Sequence, residues 1–238
     1  MKLLVRILLQ ALGLLALPCL AAEELIATAR YAGGEPVPYI LNTGGVAPKY
    51  VVILFPGGTG NVNPRLENGV LVYGFKGNFL VRSRQHLVDE EFAAVTTNAT
   101  ISPERIQAVL DDLKRRFPEA RIYLMGTSNG TVGTIDLAGY LSDKIAGEIH
   151  TSSRGQIYSF DARKYGNRQL VVHHKDDSCR VTPFSAAQAS HDRFGTELIA
   201  MEGGISTGDP CEAFAYHGFN GIERETMDAI KQWIRRGP

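Results

Sequence analysis

Short apolar runs typical of β-strands alternate with helix-like segments along most of this chain. The clearest strand is YVVILF at Tyr50–Phe55, an unbroken apolar run of the kind found in strands buried on both faces, and it ends at PGG, residues 56–58. Because strands and helices alternate, a mainly parallel sheet with helices on both faces is predicted. Ligands of such sheets bind beyond the carboxyl ends of the strands, so functional residues are expected there.

The other predicted elements follow the same alternating order. Ser102 is expected to cap a helix that starts at Pro103 and stops before Pro118. Further strands are predicted at residues 92–96, 121–125, 145–149, 170–173 and 197–201, and further helices at 78–90, 131–141, 184–194 and 222–235. No internal repeat or low-complexity linker interrupts them, so residues 23–238 are predicted to form a single domain.

The charge balance and the cysteine count exclude several classes of protein. The 238 residues carry 25 Lys plus Arg and 25 Asp plus Glu, a formal net charge of zero, whereas proteins that bind DNA or RNA usually have a basic excess. Three cysteines are too few for a disulfide-built scaffold or a four-ligand zinc site. We therefore expect no nucleic-acid partner and no cofactor, and the oligomeric state is left open.

Residues 1–22 are predicted to be a signal peptide. A basic start precedes an apolar stretch of about a dozen residues, and small residues then lead into two glutamates. The stretch is shorter than the roughly 20 apolar residues that a membrane span needs. Cleavage after Ala21 or Ala22 would release an exported protein, periplasmic or secreted, with no stable membrane insertion. The LPC sequence at 17–19 leaves a lipoprotein signal as an alternative.

Signal cleavage would leave two cysteines, Cys179 and Cys211, in the mature chain. In an oxidising compartment, two cysteines favour a single disulfide bond. A disulfide bond that closes a loop of about 33 residues stabilises a protein by about 3–4 kcal/mol, because it lowers the chain entropy of the unfolded state. Two unpaired thiols are the alternative.

The motif GTSNG at residues 126–130 follows a predicted strand, opens a predicted helix and places Ser128 at the turn between them. A serine nucleophile at such a turn, called a nucleophile elbow, has a strained backbone, and the residues two before and two after it must be small. The alternative is a glycine-rich turn whose serine has no chemical role. The strand before the motif and the helix after it favour Ser128 as a nucleophile.

Two downstream segments supply the partners that a nucleophilic serine needs. The predicted strand at 170–173 leads into Asp176 and Asp177, and His217 lies in a loop before the last helix. His217 would take the serine proton and return it to the leaving group, while an aspartate would orient the imidazole and stabilise its charged form. The order Ser128, Asp177, His217 is that of the α/β-hydrolases and the reverse of the trypsin-like enzymes.

An oxyanion hole needs backbone N–H groups directed at the charge that develops on the substrate. The amide of Asn129, directly after the proposed nucleophile, is one candidate. The second is Gly58, in the PGGTG segment at 56–60 that follows an earlier central strand. These glycines alternatively make only a tight turn or cradle a phosphate, although the chain has no Gly-Lys-Ser/Thr of a phosphate loop.

Five segments together make the chain resemble the α/β-hydrolase superfamily, and within it small secreted serine hydrolases without a large lid. They are FPGGTG at 55–60, GNFLVRSR at 77–84, GTSNGT at 126–131, VHHKDDSCRVTP at 172–183 and GDPCEAFAYHGF at 208–219. The resemblance covers residues 50–234. It implies a three-layer α/β-hydrolase fold with a mainly parallel central sheet and no large lid domain, with Ser128 as nucleophile and His217 as base.

The resemblance also favours one of the two acids. The family pattern His-Gly-x-x-Asp aligns His173 with Asp177, which makes Asp177 the expected acid and Asp176 the alternative. This chain has His174 where that pattern has glycine. Adjacent residues at a strand end point to opposite faces, so His173 and His174 are not expected to share a metal ion, and one of them is expected to pack under the acid loop.

The cysteines and an unassigned loop complete the predicted site. A bridge between Cys179 and Cys211 would clamp the acid loop to the histidine loop. Residues 61–77 could form one wall of a pocket. Other residues are expected to be structural: Arg82 and Arg84 in ion pairs rather than on an anionic substrate, Trp233 in the core, and His86, His150 and His191 at the surface or in packing.

The expected function is that of a serine hydrolase that works through an acyl-enzyme on a small-molecule acyl substrate. The segment between Ser128 and Asp177 is too short to hold a helical cap as well as its predicted strands. An uncapped site favours substrates that are small or accessible from solvent, so a carboxylesterase or thioesterase is expected. The alternatives are a peptidase or acyltransferase with the same three residues, and a binding protein that has the fold without catalysis.

Overall fold

A computed structural model describes residues 23–31 and 33–237, so the predicted signal peptide and its cleavage site lie outside the described residues. Eight strands form one central sheet: β1 Glu23–Ala29, β2 Val37–Thr43, β3 Tyr50–Phe55, β6 Phe92–Thr97, β7 Arg121–Thr127, β8 Gly147–Thr151, β9 Arg168–His174 and β10 Glu197–Met201. The intervening strands β4 Arg65–Glu67 and β5 Val70–Val72 form a separate hairpin. The order across the central sheet is β1-β2-β6-β3-β7-β8-β9-β10.

The predicted mainly parallel sheet is confirmed, and an antiparallel edge is added to it. The strands from β6 to β10 in this order are parallel, whereas β2 pairs antiparallel with β6 and β1 antiparallel with β2. The sequence did not predict β1 or β2. The reason for β2 is Pro38 within the strand, because proline cannot donate to a ladder and argues against a strand.

In the described part of the chain, five α-helices cover both faces of the sheet: α1 Phe79–Leu87, α2 Pro103–Arg116, α3 Thr131–Leu141, α4 Phe184–Phe194 and α5 Glu223–Arg236. Apolar side chains of α1 and α5 pack with one face of the sheet, and those of α2, α3 and α4 pack with the other. Trp233 on α5 is fully buried in the first of these layers, as predicted. The molecule therefore has three layers.

Local signals set the helix ends. The Ser102 hydroxyl oxygen accepts a hydrogen bond from the Arg105 N–H at 3.1 Å, so the predicted cap of α2 is confirmed. Helix α1 ends three residues before the predicted end at residue 90. It stops there because the Asp89 carboxylate accepts hydrogen bonds from the N–H groups of Glu91 and Phe92, which fixes a turn into β6 instead of another helical turn.

The two arginines of α1 are held by ion pairs and backbone carbonyls. Arg84 is buried and pairs with Glu24 on β1. Arg82 pairs with Glu223 on α5 at 2.9 Å and donates to the carbonyl oxygens of Gly77 and Gly218. The structural roles predicted for both side chains are therefore observed.

His150 on β8 is completely buried within a polar network that also includes residues of α3 and of β9. Its Nε2 lies 3.0 Å from Gln169 Oε1 and its Nδ1 lies 2.7 Å from the Thr134 hydroxyl. Gln169 donates to Asn167 Oδ1, and Asn167 donates to Glu148 Oε1 at 3.3 Å. Burial raises the pKa of Glu148 to about 8 and lowers the pKa of His150 to about 4, so both side chains are uncharged at neutral pH.

The connections beyond the carboxyl ends of the strands contain little regular structure. Two 3-10 helices, Gly155–Ser159 and Ala162–Lys164, link β8 to β9, and no large lid covers the carboxyl ends of the described strands. None of the helices in residues 23–31 and 33–237 has the length and apolar composition of a membrane span.

Candidate active site

Ser128 occupies the turn between β7 and α3, at the carboxyl end of the central strands. Its φ is +52°, a left-handed conformation that few non-glycine residues adopt, so the backbone is strained there. A Cβ on Gly126 would lie 2.6 Å from the Gly130 carbonyl oxygen, and one on Gly130 would lie 2.2 Å from the Phe55 carbonyl oxygen. A side chain at either position would force the backbone to shift, which agrees with the small residues that the elbow pattern requires.

An open cavity of about 430 Å³ lies over this turn, and both Ser128 and His217 line it. His217 sits in a 3-10 helix, Tyr216–Gly218, that follows β10 and precedes α5. Its Nδ1 is hydrogen-bonded, whereas its Nε2 makes no hydrogen bond to another described residue. Nε2 is thus the ring nitrogen available to a serine or a substrate in the cavity.

Asp177 contacts the Nδ1 side of the His217 ring. Its Oδ2 lies 3.0 Å from His217 Nδ1, and the carboxylate is buried. The same Oδ2 lies 3.1 Å from His173 Nε2 and 3.2 Å from the Thr182 hydroxyl, while Oδ1 accepts from the Cys179 N–H at 2.9 Å. Four donors therefore surround one carboxylate.

These donors decide the charge of Asp177. Burial alone would raise the pKa of the Asp177 carboxyl, but hydrogen bonds from His173 and His217, with the positive charge that His217 can carry, hold that pKa well below its usual range. The carboxylate is therefore ionised at neutral pH. Since it accepts at His217 Nδ1, it favours the tautomer whose Nε2 is unprotonated and can act as a base.

The alternative acid lies elsewhere. Asp176 is exposed, and its backbone N–H donates to His174 Nδ1 at 3.0 Å. His174 Nε2 lies 2.8 Å from the Gly203 carbonyl oxygen, so its ring faces away from the partners of His173. The structure brings Asp177, and not Asp176, to the histidine that lines the cavity.

Two residues that the sequence did not assign to the site also fix His217. Thr182 places its hydroxyl 3.1 Å from His217 Nδ1 and within hydrogen-bonding distance of Asp177. Ser152, at the end of β8, donates its hydroxyl to the His217 carbonyl oxygen at 2.7 Å, and its own φ is +41°. Both lie in loops, where the spacing of residues gave no signal for such contacts.

The two predicted oxyanion residues are joined directly. The Asn129 side-chain amide donates to the Gly58 carbonyl oxygen at 2.8 Å. The Gly60 N–H donates to the Gly57 carbonyl oxygen at 3.0 Å, so the glycines also form the tight turn considered as the alternative. Gly58 has a φ of +61°, and its own N–H makes no hydrogen bond to another described residue. That amide is therefore available to a ligand.

Aromatic side chains form two walls of the cavity. Phe75, from the predicted wall at 61–77, lies so close to Gly58 that a Cβ there would be 2.8 Å from its ring. Phe214, about half exposed, lies in the segment that also contributes Glu212 to the lining, and its ring comes close to Gly77. The cavity thus offers apolar surface next to Ser128 and opens to solvent.

The predicted disulfide bond between Cys179 and Cys211 is present. Cys179 is buried two residues after Asp177, and Cys211 lines the cavity six residues before His217. The bond therefore links the loop of the acid to the segment of the histidine. Atoms of Asp177, Cys179 and His217 also lie within 4.8 Å of one another, but the Cys179 sulfur is in the disulfide and offers no thiolate to a metal.

Comparison with known proteins identifies the fold. No family model matches the chain, and no curated protein sequence matches it. An α/β serine hydrolase homologue from Coxiella burnetii is 16% identical, with 88% of this chain and 96% of that chain covered and a TM-score of 0.61. An α/β serine hydrolase without a lid from Xanthomonas campestris is 13% identical, with 91% and 97% covered and a TM-score of 0.59.

An esterase domain of a Rhodothermus marinus protein gives the same result, at 10% identity, with 90% of this chain and 99% of that chain covered and a TM-score of 0.61. All three likenesses extend over nearly the whole described chain and include the mainly parallel eight-stranded sheet. The chain has the α/β-hydrolase fold without a large lid. At these identities the likeness concerns the fold, so function is argued from the site.

Proposed function

We propose that this protein is a serine hydrolase in which Ser128 is the nucleophile, His217 the general base and acid, and Asp177 the orienting carboxylate. The observation that carries the proposal is the arrangement around one cavity: a serine held at φ +52° and a histidine whose Nδ1 is tied to a buried, ionised aspartate. This is the combination that acyl transfer through a serine needs.

The proton follows a defined route in this mechanism. His217 Nε2 takes the proton of the Ser128 hydroxyl as its oxygen attacks the acyl carbonyl carbon, and the imidazolium then gives that proton to the leaving alcohol or thiol. A water attacks the acyl-serine in the same way, with His217 as base, and releases the acid and free Ser128. Asp177 stabilises the imidazolium in both halves through its 3.0 Å contact with Nδ1.

The amides of Gly58 and Asn129 are proposed to bind the oxygen that becomes negative in both tetrahedral intermediates. The hydrogen bond from the Asn129 side chain to the Gly58 carbonyl supports this role, because it fixes the two segments relative to each other before substrate arrives. Preorganised donors of this kind are commonly the largest single contribution to catalysis.

Esters or thioesters of small acyl groups are the proposed substrates. The cavity of about 430 Å³ has room for a small acyl chain, and Phe75 and Phe214 give it apolar walls. Its opening to solvent suits a substrate that arrives in solution. One structural neighbour is an esterase domain, which is consistent with ester hydrolysis. We further propose that the protein is exported, which accords with its disulfide bond.

Covalent labelling of the serine is the first test. The purified, oxidised mature protein and a Ser128→Ala variant are treated with a fluorophosphonate probe and weighed by intact mass spectrometry, and both are assayed with p-nitrophenyl esters and thioesters of increasing acyl length. We expect one adduct and turnover for the wild type only. A folded, oxidised wild-type protein that neither forms an adduct nor turns over any ester contradicts the proposal and favours the binding-protein alternative.

A further inference from the structure

We propose that the side-chain amide of Asn78, at the start of α1, is a third donor to the oxyanion, together with the backbone amides of Gly58 and Asn129. The inference rests on the proposed serine hydrolase function. It assigns a catalytic role to a residue that the sequence pattern presented only as the beginning of a helix.

The cap fixes which atom of the Asn78 amide faces the cavity. Asn78 Oδ1 accepts a hydrogen bond from the Leu80 N–H at 3.1 Å. A backbone N–H can donate only to the amide oxygen, so the capping bond assigns Oδ1 to the helix and leaves Nδ2 on the other side. The same bond restrains the side-chain torsions, so the position of Nδ2 is set before substrate binds.

Asn78 Nδ2 and the proposed nucleophile both border the space beside Gly57. The point where a Cβ on Gly57 would be is 3.5 Å from Asn78 Nδ2 and 2.9 Å from Ser128 Cβ. The contact with Ser128 is too close for a real Cβ, so glycine is required at position 57, and Asn78 Nδ2 lies at van der Waals distance from the same point. Asn78 also lines the cavity that Ser128 and His217 line.

Asn78 Nδ2 has no hydrogen-bond acceptor among the described residues, in contrast to the Asn129 amide, which donates to Gly58. A half-buried amide donor next to a strained serine is therefore free to bind a ligand atom. The acyl carbonyl oxygen of a substrate on Ser128 would lie in this region, and it carries full negative charge only in the tetrahedral intermediates. A neutral N–H donor gains most from an acceptor when that charge develops, so Asn78 would raise kcat more than it lowers KM.

Variants at Asn78 separate this role from capping. Asn78→Ser keeps a good N-cap residue but has no amide donor, and Asn78→Asp keeps the shape and the cap but replaces the donor by an acceptor. We expect kcat on a p-nitrophenyl ester to fall about 100-fold in both variants, with KM within about threefold of wild type and little change in melting temperature. Ser102→Ala is the matched control, because it removes the cap of α2. It should lower the melting temperature without changing kcat.

The outcomes distinguish a failure of the role proposed for Asn78 from a failure of the proposed serine hydrolase function. Wild-type labelling at Ser128 with kcat of Asn78→Ser within threefold of wild type overturns the role of Asn78 and leaves the proposed function intact. If kcat falls in Asn78→Asp but not in Asn78→Ser, the new carboxylate repels the oxyanion and the amide is not a donor. That result also overturns the role of Asn78. A wild-type protein without labelling or turnover overturns the proposed function and this inference with it.

Discussion

Asp177 and Glu148 are two buried carboxyl groups that this protein holds in opposite charge states. Asp177 follows β9 and contacts His217, which lines the cavity, and Glu148 lies within β8. Burial raises the pKa of Glu148 to about 8, so it keeps its proton at neutral pH. Burial acts in the same direction on Asp177, yet the hydrogen bonds from His173 and His217 hold its pKa well below the usual range.

The number of donors explains the difference. Four donors converge on Asp177, two of them from histidine rings. Glu148 accepts one long hydrogen bond from Asn167, and its Oε2 has no partner among the described atoms. Burial alone therefore does not set the charge of a carboxyl group in this protein. The negative charge is present where a histidine that lines the cavity requires it, and it is absent from the interior of the sheet.

The largest expected effect is on activity. Asp177→Asn should lower kcat about 10⁴-fold on any ester that the protein hydrolyses, because the amide no longer favours the His217 tautomer with a basic Nε2. Glu148→Gln is the matched control, since it makes the same chemical change at the other buried carboxyl and should leave kcat unchanged. Steady-state rates of both variants, with circular dichroism as a check on folding, test this. Equal losses would show that the two carboxyl groups are not functionally different.

The second largest effect is expected from the disulfide bond, which is present near Asp177 and not near Glu148. It ties the Asp177 loop to the His217 segment, whereas no disulfide constrains the Glu148 network. Reduction should cost about 3–4 kcal/mol of unfolding free energy and, at reductant concentrations that leave the sheet folded, most of the esterase activity. Turnover and near-ultraviolet circular dichroism are followed together during titration with reductant. Unchanged turnover in the fully reduced, folded protein would show that the bond does not organise the site.

The sequence predicts the sheet and the elbow better than the environment of each buried group. β3, β7 and the glycines around Ser128 have local patterns, an apolar run and a required spacing, that predict their structure from nearby residues alone. His150 has no such pattern. Its burial depends on Thr134 and Gln169, which approach it only when α3 and β9 pack against β8. The expectation that it is an ordinary surface or packing residue therefore missed the network.

In the candidate site, too, the sequence predicts the residues with local patterns but not those whose contacts depend on distant segments. The order of serine, acid and histidine and the family pattern were enough to select Ser128, Asp177 and His217. Thr182 and Ser152 could not be selected, because each acts through a loop conformation that brings its hydroxyl to His217. A hydroxyl contact across loops leaves no periodicity in the sequence.

The charge state of Glu148 predicts a pH dependence of stability. Glu148 binds its proton more tightly in the folded protein, with a pKa of about 8, than in the unfolded chain, where it is 4.5, so the free energy of unfolding falls as pH rises between these values. His150, with its pKa lowered from 6.5 to about 4, contributes stability that is lost as pH falls through that range, so it opposes Glu148 only below pH 6.5. Above that pH, Glu148 acts without this opposition.

Glu148→Gln isolates this contribution. Glutamine keeps the oxygen that accepts from Asn167 and does not titrate, so we expect the loss of roughly 2 kcal/mol between about pH 6.5 and 8 to disappear in the variant. Urea unfolding at closely spaced pH values, compared with wild type, measures the difference. Parallel stability curves for the two proteins would show that Glu148 is ionised in the folded protein and that the two carboxyl groups do not differ in charge.

The smallest expected effect concerns a donor to Asp177. His173→Leu removes the hydrogen bond at Nε2, so the pKa of Asp177 should rise toward its usual range, but it also removes a buried Nδ1 that has no described partner. These effects partly cancel, and we expect a loss of about 1 kcal/mol at pH 7. Because a lowered acid pKa stabilises the fold above the unfolded value and not below it, this deficit should shrink as pH falls below about 4.

His173→Gln, which keeps an amide donor near Asp177, is the control and should recover part of the loss. Urea unfolding of the three proteins between pH 3 and 7 tests the prediction, and kcat of His173→Leu should fall by about threefold to tenfold, because Thr182 and the Cys179 N–H still hold the carboxylate. A deficit of constant size over this pH range would mean that His173 acts only through packing. The low pKa of Asp177 would then depend on His217, Thr182 and the loop amide alone.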